Sequence, residues 1–227
     1  MFFNSINKQL RKMYQNINPQ LKDKVFPNGE NEFVFVGTML NQIFQKKFSL
    51  QELIQLYAST HTYHILEKGN SYKTYNYLKN KNNNLNNDDI FSLIALVTLI
   101  YSNNNYKNNS REKLFEHKSY AQNYVDIVNG IEKNKHIFAT KNNDEIGTSS
   151  NPIMVSGITG IQKYLDDSGC NAIIKNSIVA LSLTDTSTNI TYCIDEYIVK
   201  VNDKEVKLWF NIYGTENTKL YPKELKV

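Results

Sequence analysis

The sequence predicts an α+β fold, in which an N-terminal helical, hairpin-like region precedes a small antiparallel sheet with one packed helix. Up to about residue 140 the apolar residues recur every three or four positions, the period of amphipathic helices. Beyond residue 148 they alternate or form short β-branched runs, as in strands. The polar run 141–150 separates the two patterns, so we expect a helical region at 1–140 and a small α+β domain at 148–227.

The helical region consists of periodic segments joined by polar, asparagine-rich loops, an arrangement that is repeat-like without a clean repeat period. Helices are expected at 2–17, 33–47, 50–67, 72–78, 89–101 and 110–135. Ser49 and Glu52 have the spacing of a capping box, which satisfies free backbone N–H groups where a helix begins. The apolar run 90–101 is too short for the roughly 20 residues that span a bilayer, and it predicts a buried core helix.

The second region has short strand-like runs with one helical segment among them. Strands are expected at 152–156, 172–184, 190–201 and 206–213, with a helix at 158–166. The turn 202–204 should join the last two strands into a hairpin with one buried face. We expect Trp209 to be a core residue and 215–227 to be a surface extension.

The composition argues against several classes of protein. The net charge is +4, and Arg11 and Arg111 are the only arginines, so specific nucleic-acid binding is not expected. Cys170 and Cys193 are far apart, which favours two buried small side chains, with a disulfide as the alternative. The N-terminus lacks the apolar stretch of a secretory signal, and no segment predicts a membrane span. The expected location is therefore cytoplasmic.

No pattern of catalytic residues stands out. The zinc-protease HExxH pattern, the GxSxG elbow and the phosphate-binding glycine loops are all absent. His61 and His64 lie three residues apart on a predicted helix, but a metal site requires a third and usually a fourth ligand. We therefore predict no catalytic residue, no metal and no cofactor. The sequence fits a binding protein better than an enzyme.

Tyrosine recurs along the helical half, where its apolar ring and polar hydroxyl suit both helix packing and the walls of a groove. Packing between helices, with the hydroxyls reaching solvent, is one interpretation. A groove for a peptide or a protein is the other. The candidate binding residues are Tyr57, His61, Tyr63, His64 and Tyr101.

The order of motifs resembles an uncharacterised bacterial family that is known only as a domain of unknown function. Its members combine a tetratricopeptide-like helical half, which has an aromatic motif, with a small β-rich half. The matching positions are Tyr57 and Tyr63 in the aromatic motif, Gly147, Thr148, Ser149, Pro152 and Ile153 in the opening of the β half, Tyr164, Leu165 and Gly169 in its helix, and Leu208 to Ile212 in the closing strand. The glycine and the paired tyrosines of the aromatic motif are missing. The resemblance spans about residues 40 to 215 and implies no activity.

We expect a non-enzymatic protein-interaction module with a tyrosine-lined helical surface, whose partner is another protein. An immunity or antitoxin-like protein that blocks one partner is the alternative. A third possibility is an unrecognised enzyme with a site around His61 and His64.

Overall fold

The computed structural model describes residues 30–44, 47–102 and 111–226. The helices are α1 (Glu30–Phe44), α2 (Leu50–Leu66), α3 (Ser71–Lys81), α4 (Asn87–Ser102), α5 (Arg111–Lys133), α6 (Lys135–Phe138) and α7 (Ile158–Asp167). The strands are β1 (Ile153–Met154), β2 (Ala172–Asp185), β3 (Ile190–Val201) and β4 (Lys204–Asn211), and a 3₁₀ turn lies at Lys223–Leu225. The α+β fold class is confirmed. The helix expected at 2–17 lies outside the described residues.

The chain forms two compact units, at 1–125 and 126–227. The first unit contains α1 to α4 and the first two thirds of α5, and the second contains the remaining elements. The unit boundary falls within α5, whereas the sequence suggested limits of 1–140 and 148–227. Those limits, taken as the bounds of independently folding domains, stay a prediction.

The core of the helical unit is built around α4. The residues from Leu93 to Val97 are fully buried, and Ile90 and Ile100 are at most 3% exposed. A helix that is apolar on all sides is stable only when other elements surround it. α1, α2 and α3 each pack against α4, which confirms the prediction of a buried core helix.

A buried carboxylate fixes the start of α4. The Asp89 side chain accepts a hydrogen bond from the Asn86 backbone N–H (3.2 Å), and the Asn86 side chain accepts one from the Asp89 N–H (2.8 Å). Lys47 Nζ donates to both carboxylate oxygens of Asp89, at 2.9 and 2.8 Å. Asp89 is only 4% exposed. Lys47 therefore ties the segment before α2 to the N-terminus of α4.

Substituting Asp89→Ala should lower the free energy of unfolding by about 2–3 kcal/mol, because it removes the reciprocal cap and leaves Lys47 without its buried partner. Urea denaturation followed by far-UV circular dichroism measures this loss. Asp88→Ala is the control, since Asp88 pairs with Lys118 at the surface and such pairs contribute about 0–1 kcal/mol. Equal losses in the two variants would contradict the role of Asp89.

The sheet of the second unit has the strand order β1-β4-β3-β2. β2 with β3 and β3 with β4 are antiparallel, whereas β1 lies parallel to β4. The sheet is therefore mixed rather than purely antiparallel, because the chain leaves β1, forms α7 and the β2–β3 hairpin, and returns beside β1 as β4. The turn between β3 and β4 has positive φ at Asn202 (47°) and Asp203 (69°), the backbone that tight hairpins require.

α7 packs on one face of this sheet. Val199, Leu208 and Phe210 on that face are at most 2% exposed, and Tyr164 of α7 is fully buried, with its ring edge-on to Phe210. Trp209 points to the opposite face and is only half-buried. This finding corrects the expectation that Trp209 is a core residue. Side chains alternate between the two faces of a strand, so Trp209 lies on the face opposite Leu208 and Phe210.

The segment 141–150 is packed against its own unit rather than extended as a linker. Asn151, which is 3% exposed, donates to the Lys141 carbonyl and accepts from the Lys141 N–H, both at 2.8 Å. Ile146 is buried. Gly147 has φ of +87°, and a Cβ there would lie 2.9 Å from a side chain of β4. Buried contacts with the rest of the unit thus hold this segment in place, although its composition is polar.

The C-terminal residues also belong to the core. Tyr164 Oη donates to the Leu220 carbonyl (2.7 Å), and the Tyr221 ring stacks on the Tyr164 ring at 4.8 Å between centroids. Leu225 is 1% exposed. The expected surface extension is therefore wrong, because this segment covers the side of α7 that the sheet leaves open.

The two cysteines lie at opposite ends of the β2–β3 ladder. Cys170 precedes Ala172, which pairs with Val201, whereas Cys193 pairs with Ser182. Ten strand residues separate these positions by roughly 30 Å, far beyond the reach of a disulfide. Both thiols are free. Among the described helices, none has the length and the apolar character needed to cross a membrane.

Candidate functional site

Two stacked tyrosines mark the surface of the α2–α3 hairpin. Ser49 and Glu52 form the expected capping box at the start of α2, and Lys68 (φ 54°) and Gly69 (φ 80°) reverse the chain at its end. α3 then returns antiparallel to α2. The rings of Tyr63 on α2 and Tyr77 on α3 stack face to face, with centroids 4.2 Å apart and an interplanar angle of 11°.

Both rings are half-buried, so each presents one part of its surface to solvent. Partial burial, and then the neighbouring Glu67 carboxylate, raises the pKa of Tyr63, so its hydroxyl remains protonated at neutral pH. The Lys81 ammonium lies 5.5 Å from the centroid of the Tyr77 ring, within the range of a cation–π contact. An aromatic pair thus lies beside a fixed positive charge.

A groove of about 370 Å³ continues from this pair along α2 and α3. It is lined by Phe48, Glu52, Gln55, Leu56, Ser59, Tyr77, Lys81, Asn82 and Asn84, and we call it the α2–α3 groove. Its apolar floor is surrounded by two opposite charges, three amides and a hydroxyl. Amide side chains both donate and accept hydrogen bonds, so this lining can match the alternating N–H and C=O groups of a peptide backbone.

Of the candidate binding residues whose side chains the structure describes, only Tyr63 lies at this surface. Tyr57, His61 and His64 are at most 1% exposed. Tyr101 lies in α4, but its side chain is outside the described set. Direct contact between these residues and a partner stays a prediction, and in this conformation the three buried side chains are inaccessible to one.

His64 connects three helices within the core. Its Nδ1 lies 2.9 Å from Thr74 Oγ1 on α3, and its Nε2 lies 3.2 Å from Thr98 Oγ1 on α4. The Thr74 hydroxyl donates its proton to the Asn70 carbonyl (2.9 Å), so His64 Nδ1 must be the donor to Thr74. Burial lowers the pKa of His64 to about 4, so the imidazole is neutral at neutral pH. In this neutral tautomer Nε2 carries no proton and accepts from Thr98.

His61 stacks on the Tyr57 ring, with centroids 5.6 Å apart. Burial first, and then the neighbouring His64, lowers the pKa of His61 to about 3. Neither histidine is among the residues that line the α2–α3 groove. Within residues 30–44, 47–102 and 111–226, no three His, Cys, Asp or Glu side chains are grouped as a metal site would require.

A second cavity, of about 320 Å³, lies in the C-terminal unit between the end of α5, α6 and the loop 214–219. Its polar side chains mainly hold this loop. Glu132 accepts from Thr215 Oγ1 (2.7 Å), and Asn217 donates to the Gly160 carbonyl (2.9 Å) and accepts from the Ser156 N–H (2.9 Å). These polar side chains are therefore paired within the protein, and their role in the cavity is to hold the loop in place.

The acidic pair Asp195 and Glu196 does not converge on a common point. Asp195 pairs with Phe210 across the sheet and Glu196 with Trp209, so the two carboxylates lie on opposite faces of β3. Burial raises the pKa of Asp195, whereas Glu196 forms an ion pair with Lys207 at 3.3 Å. This arrangement does not provide the facing carboxylates of glycosidase chemistry.

Gln55, Ser59, Lys81 and Asn82 of the groove have no motif in the sequence that singles them out. The one usable signal is spacing: Glu52, Gln55 and Ser59 recur along the polar face of α2. Comparison with protein-family models, with curated proteins and with solved structures yields no match. The family resemblance noted in the sequence stays a prediction.

Proposed function

We propose that this protein is a non-enzymatic protein-interaction module, in which the α2–α3 hairpin binds an extended segment of another protein. The observation that carries the proposal is the groove of about 370 Å³ that continues from the stacked Tyr63–Tyr77 pair. Half-buried tyrosines suit such a surface, because each ring offers apolar area and a hydroxyl at little cost in conformational entropy.

The lining of the groove indicates the chemistry of the bound segment. Gln55, Asn82 and Asn84 can pair with its backbone, and Leu56 and Phe48 offer apolar contact at the floor. Lys81 lies at the end nearest Tyr77 and favours an acidic or carbonyl-rich residue there. The proposed ligand is therefore an extended peptide with a small apolar side chain and an acidic neighbour.

The other two hypotheses lack a specific supporting observation. An immunity or antitoxin-like protein would block one partner protein, and the lining of the α2–α3 groove does not favour that role over the binding of an extended segment. An enzyme with a site around His61 and His64 would need both imidazoles to reach a substrate, and both are at most 1% exposed. The interaction module is the function that the described geometry supports best.

Filling the groove should abolish binding without unfolding the protein. Gln55→Arg with Ser59→Arg places two long cations on exposed positions of α2, where arginine is a good helix former. We expect the affinity for the partner to fall at least tenfold. The partner would first be captured from the source organism by the wild-type chain, then purified and titrated by calorimetry.

A matched control exists on α5, where Ser119→Arg with Gln122→Arg makes the same changes at equally exposed positions of the same unit. This variant should bind as the wild type does. If both double variants lose binding equally, charge rather than the groove is responsible. If neither loses binding, the partner contacts another surface, and the proposal fails.

A further inference from the structure

Among the strands of the described residues, β2 is the end strand of the sheet and pairs on one side only, with β3. It is 14 residues long. A long strand with one free edge presents a row of backbone N–H and C=O groups that can pair with another chain. Proteins usually protect such edges with bulges, lysines, prolines or a covering element.

The two halves of β2 differ in this protection. The register with β3 is interrupted between Ile174 and Asn176 and again between Ser177 and Val179, and Lys175 lies at the first interruption. From Val179 to Asp185 the register is continuous, without lysine, arginine or proline. We call residues 179–185 the open half of β2.

The open half is accessible. Ala180, Ser182 and Thr184 are exposed, and Leu181 is 38% exposed. Within the part of the chain that the structure describes, the backbone of residues 180–184 forms no hydrogen bond outside the ladder with β3. Alternate residues of an edge strand direct their N–H and C=O groups away from the sheet, so this edge can accept a further strand.

We propose that the open half of β2 pairs antiparallel with the same segment of a second copy, about a two-fold axis at Ser182. In this register Ser182 lies opposite Ser182, Leu181 of one copy lies opposite Leu183 of the other, and Ala180 lies opposite Thr184. Residues opposite each other in antiparallel strands share a face, so Leu181 and Leu183 of both copies lie together on one face, with Asp185 at its end, and Ala180, Ser182 and Thr184 lie on the other.

The charges of the open half favour a second copy of the chain as the pairing partner. Its only ionisable residue is Asp185, which the proposed register places opposite Val179 rather than opposite the second Asp185. No like charges therefore face each other across the pair. Asp185 Oδ1 also accepts hydrogen bonds from Ser187 and Thr188 in the adjoining turn, which keeps its charge at the end of the paired segment. A two-fold axis requires such self-complementarity.

The interface is small, because a strand pair of seven residues buries less than the roughly 1,200 Å² of a standard stable interface. The dimer should therefore be weak, with a dissociation constant on the order of 100 µM, and should dissociate on dilution. Sedimentation equilibrium from about 10 to 500 µM covers this range.

Charge exchange at Ser182 tests both the pairing and its register. Ser182→Lys and Ser182→Glu each place like charges directly opposite each other, so each variant alone should dimerise roughly fivefold more weakly than the wild type. An equimolar mixture should restore the dimer, because lysine then faces glutamate. Ala180→Lys and Ala180→Glu are the matched controls on the same face. They face Thr184, and the two introduced charges lie about 14 Å apart, so both should dimerise as the wild type does.

Three results would overturn the proposal: a wild-type chain that is monomeric at 500 µM, Ser182 variants that dimerise unchanged, or a mixture that fails to restore the dimer. Far-UV circular dichroism of each variant verifies that the fold is retained. Equal weakening by the Ala180 and Ser182 variants would also contradict it, since a different register would then be in use.

Discussion

The helical unit should lose about 4 kcal/mol of its free energy of unfolding between pH 8 and pH 5. His61 and His64 have pKa values of about 3 and 4 in the folded protein, below the 6.5 of an exposed histidine. These two histidines therefore take up two protons in the unfolded chain as the pH falls below 6.5, whereas in the folded chain both imidazoles remain uncharged. Each histidine then costs about 2 kcal/mol by pH 5, and the loss continues until the pH reaches the folded pKa values.

Urea denaturation at pH 8, 6.5 and 5, followed by circular dichroism at 222 nm, measures this loss. The variant His61→Phe keeps an aromatic ring against Tyr57 and should remove about half of the pH dependence. Burial also lowers the pKa of His117, which adds a smaller loss of the same sign, and His117→Gln isolates that part. A pH profile that is unchanged in His61→Phe would contradict the burial of a neutral His61.

The C-terminal unit should lose about 3–5 kcal/mol in the variant Phe210→Ala. Phe210 is fully buried, and the rings of Tyr164 and Tyr197 lie edge-on to it, with centroids 6.0 and 5.5 Å away. Removing the ring loses its transfer free energy and leaves a cavity between α7 and the sheet, where aromatic-to-alanine changes have their largest effects.

Trp209 is the only tryptophan and lies in this unit, so its fluorescence follows the loss of structure around the sheet. The control is Glu205→Ala, an exposed position on the same strand, which should change the free energy of unfolding by no more than about 0.5 kcal/mol. A loss below about 1 kcal/mol in Phe210→Ala would show that the packing between α7 and the sheet contributes little.

The sequence predicts the fold class well because both periodicities are strong. The run 90–101 is apolar on every side, which only a surrounded helix tolerates, and α4 occupies that position. Ser49 and Glu52 locate the start of α2 because a capping box is a local interaction. Contacts between distant residues leave no such pattern. The parallel pairing of β1 with β4 and the hydrogen bond from Tyr164 to the Leu220 carbonyl both depend on residues far away in the chain.

The sequence indicates Tyr63 as a candidate binding residue, but its stacking partner Tyr77 depends on the geometry of the α2–α3 turn. Spacing along a helix indicates which residues share a face, but it does not distinguish a face in the core from one at the surface. His61 and His64 illustrate this, since both are polar and yet deeply buried. The partners of His64, Thr74 and Thr98, lie on two other helices, which the local sequence does not reveal.

The most direct test of the proposed function is site-specific photo-cross-linking from the groove. A benzophenone side chain at Ser59 in the α2–α3 groove and, separately, at Ser119 on α5 would be irradiated in extracts of the source organism. We predict that the Ser59 position yields one cross-linked protein, joined through an extended segment, and that the Ser119 position does not. The same products from both positions, or none from Ser59 while the wild-type chain still captures a partner, would contradict the proposal.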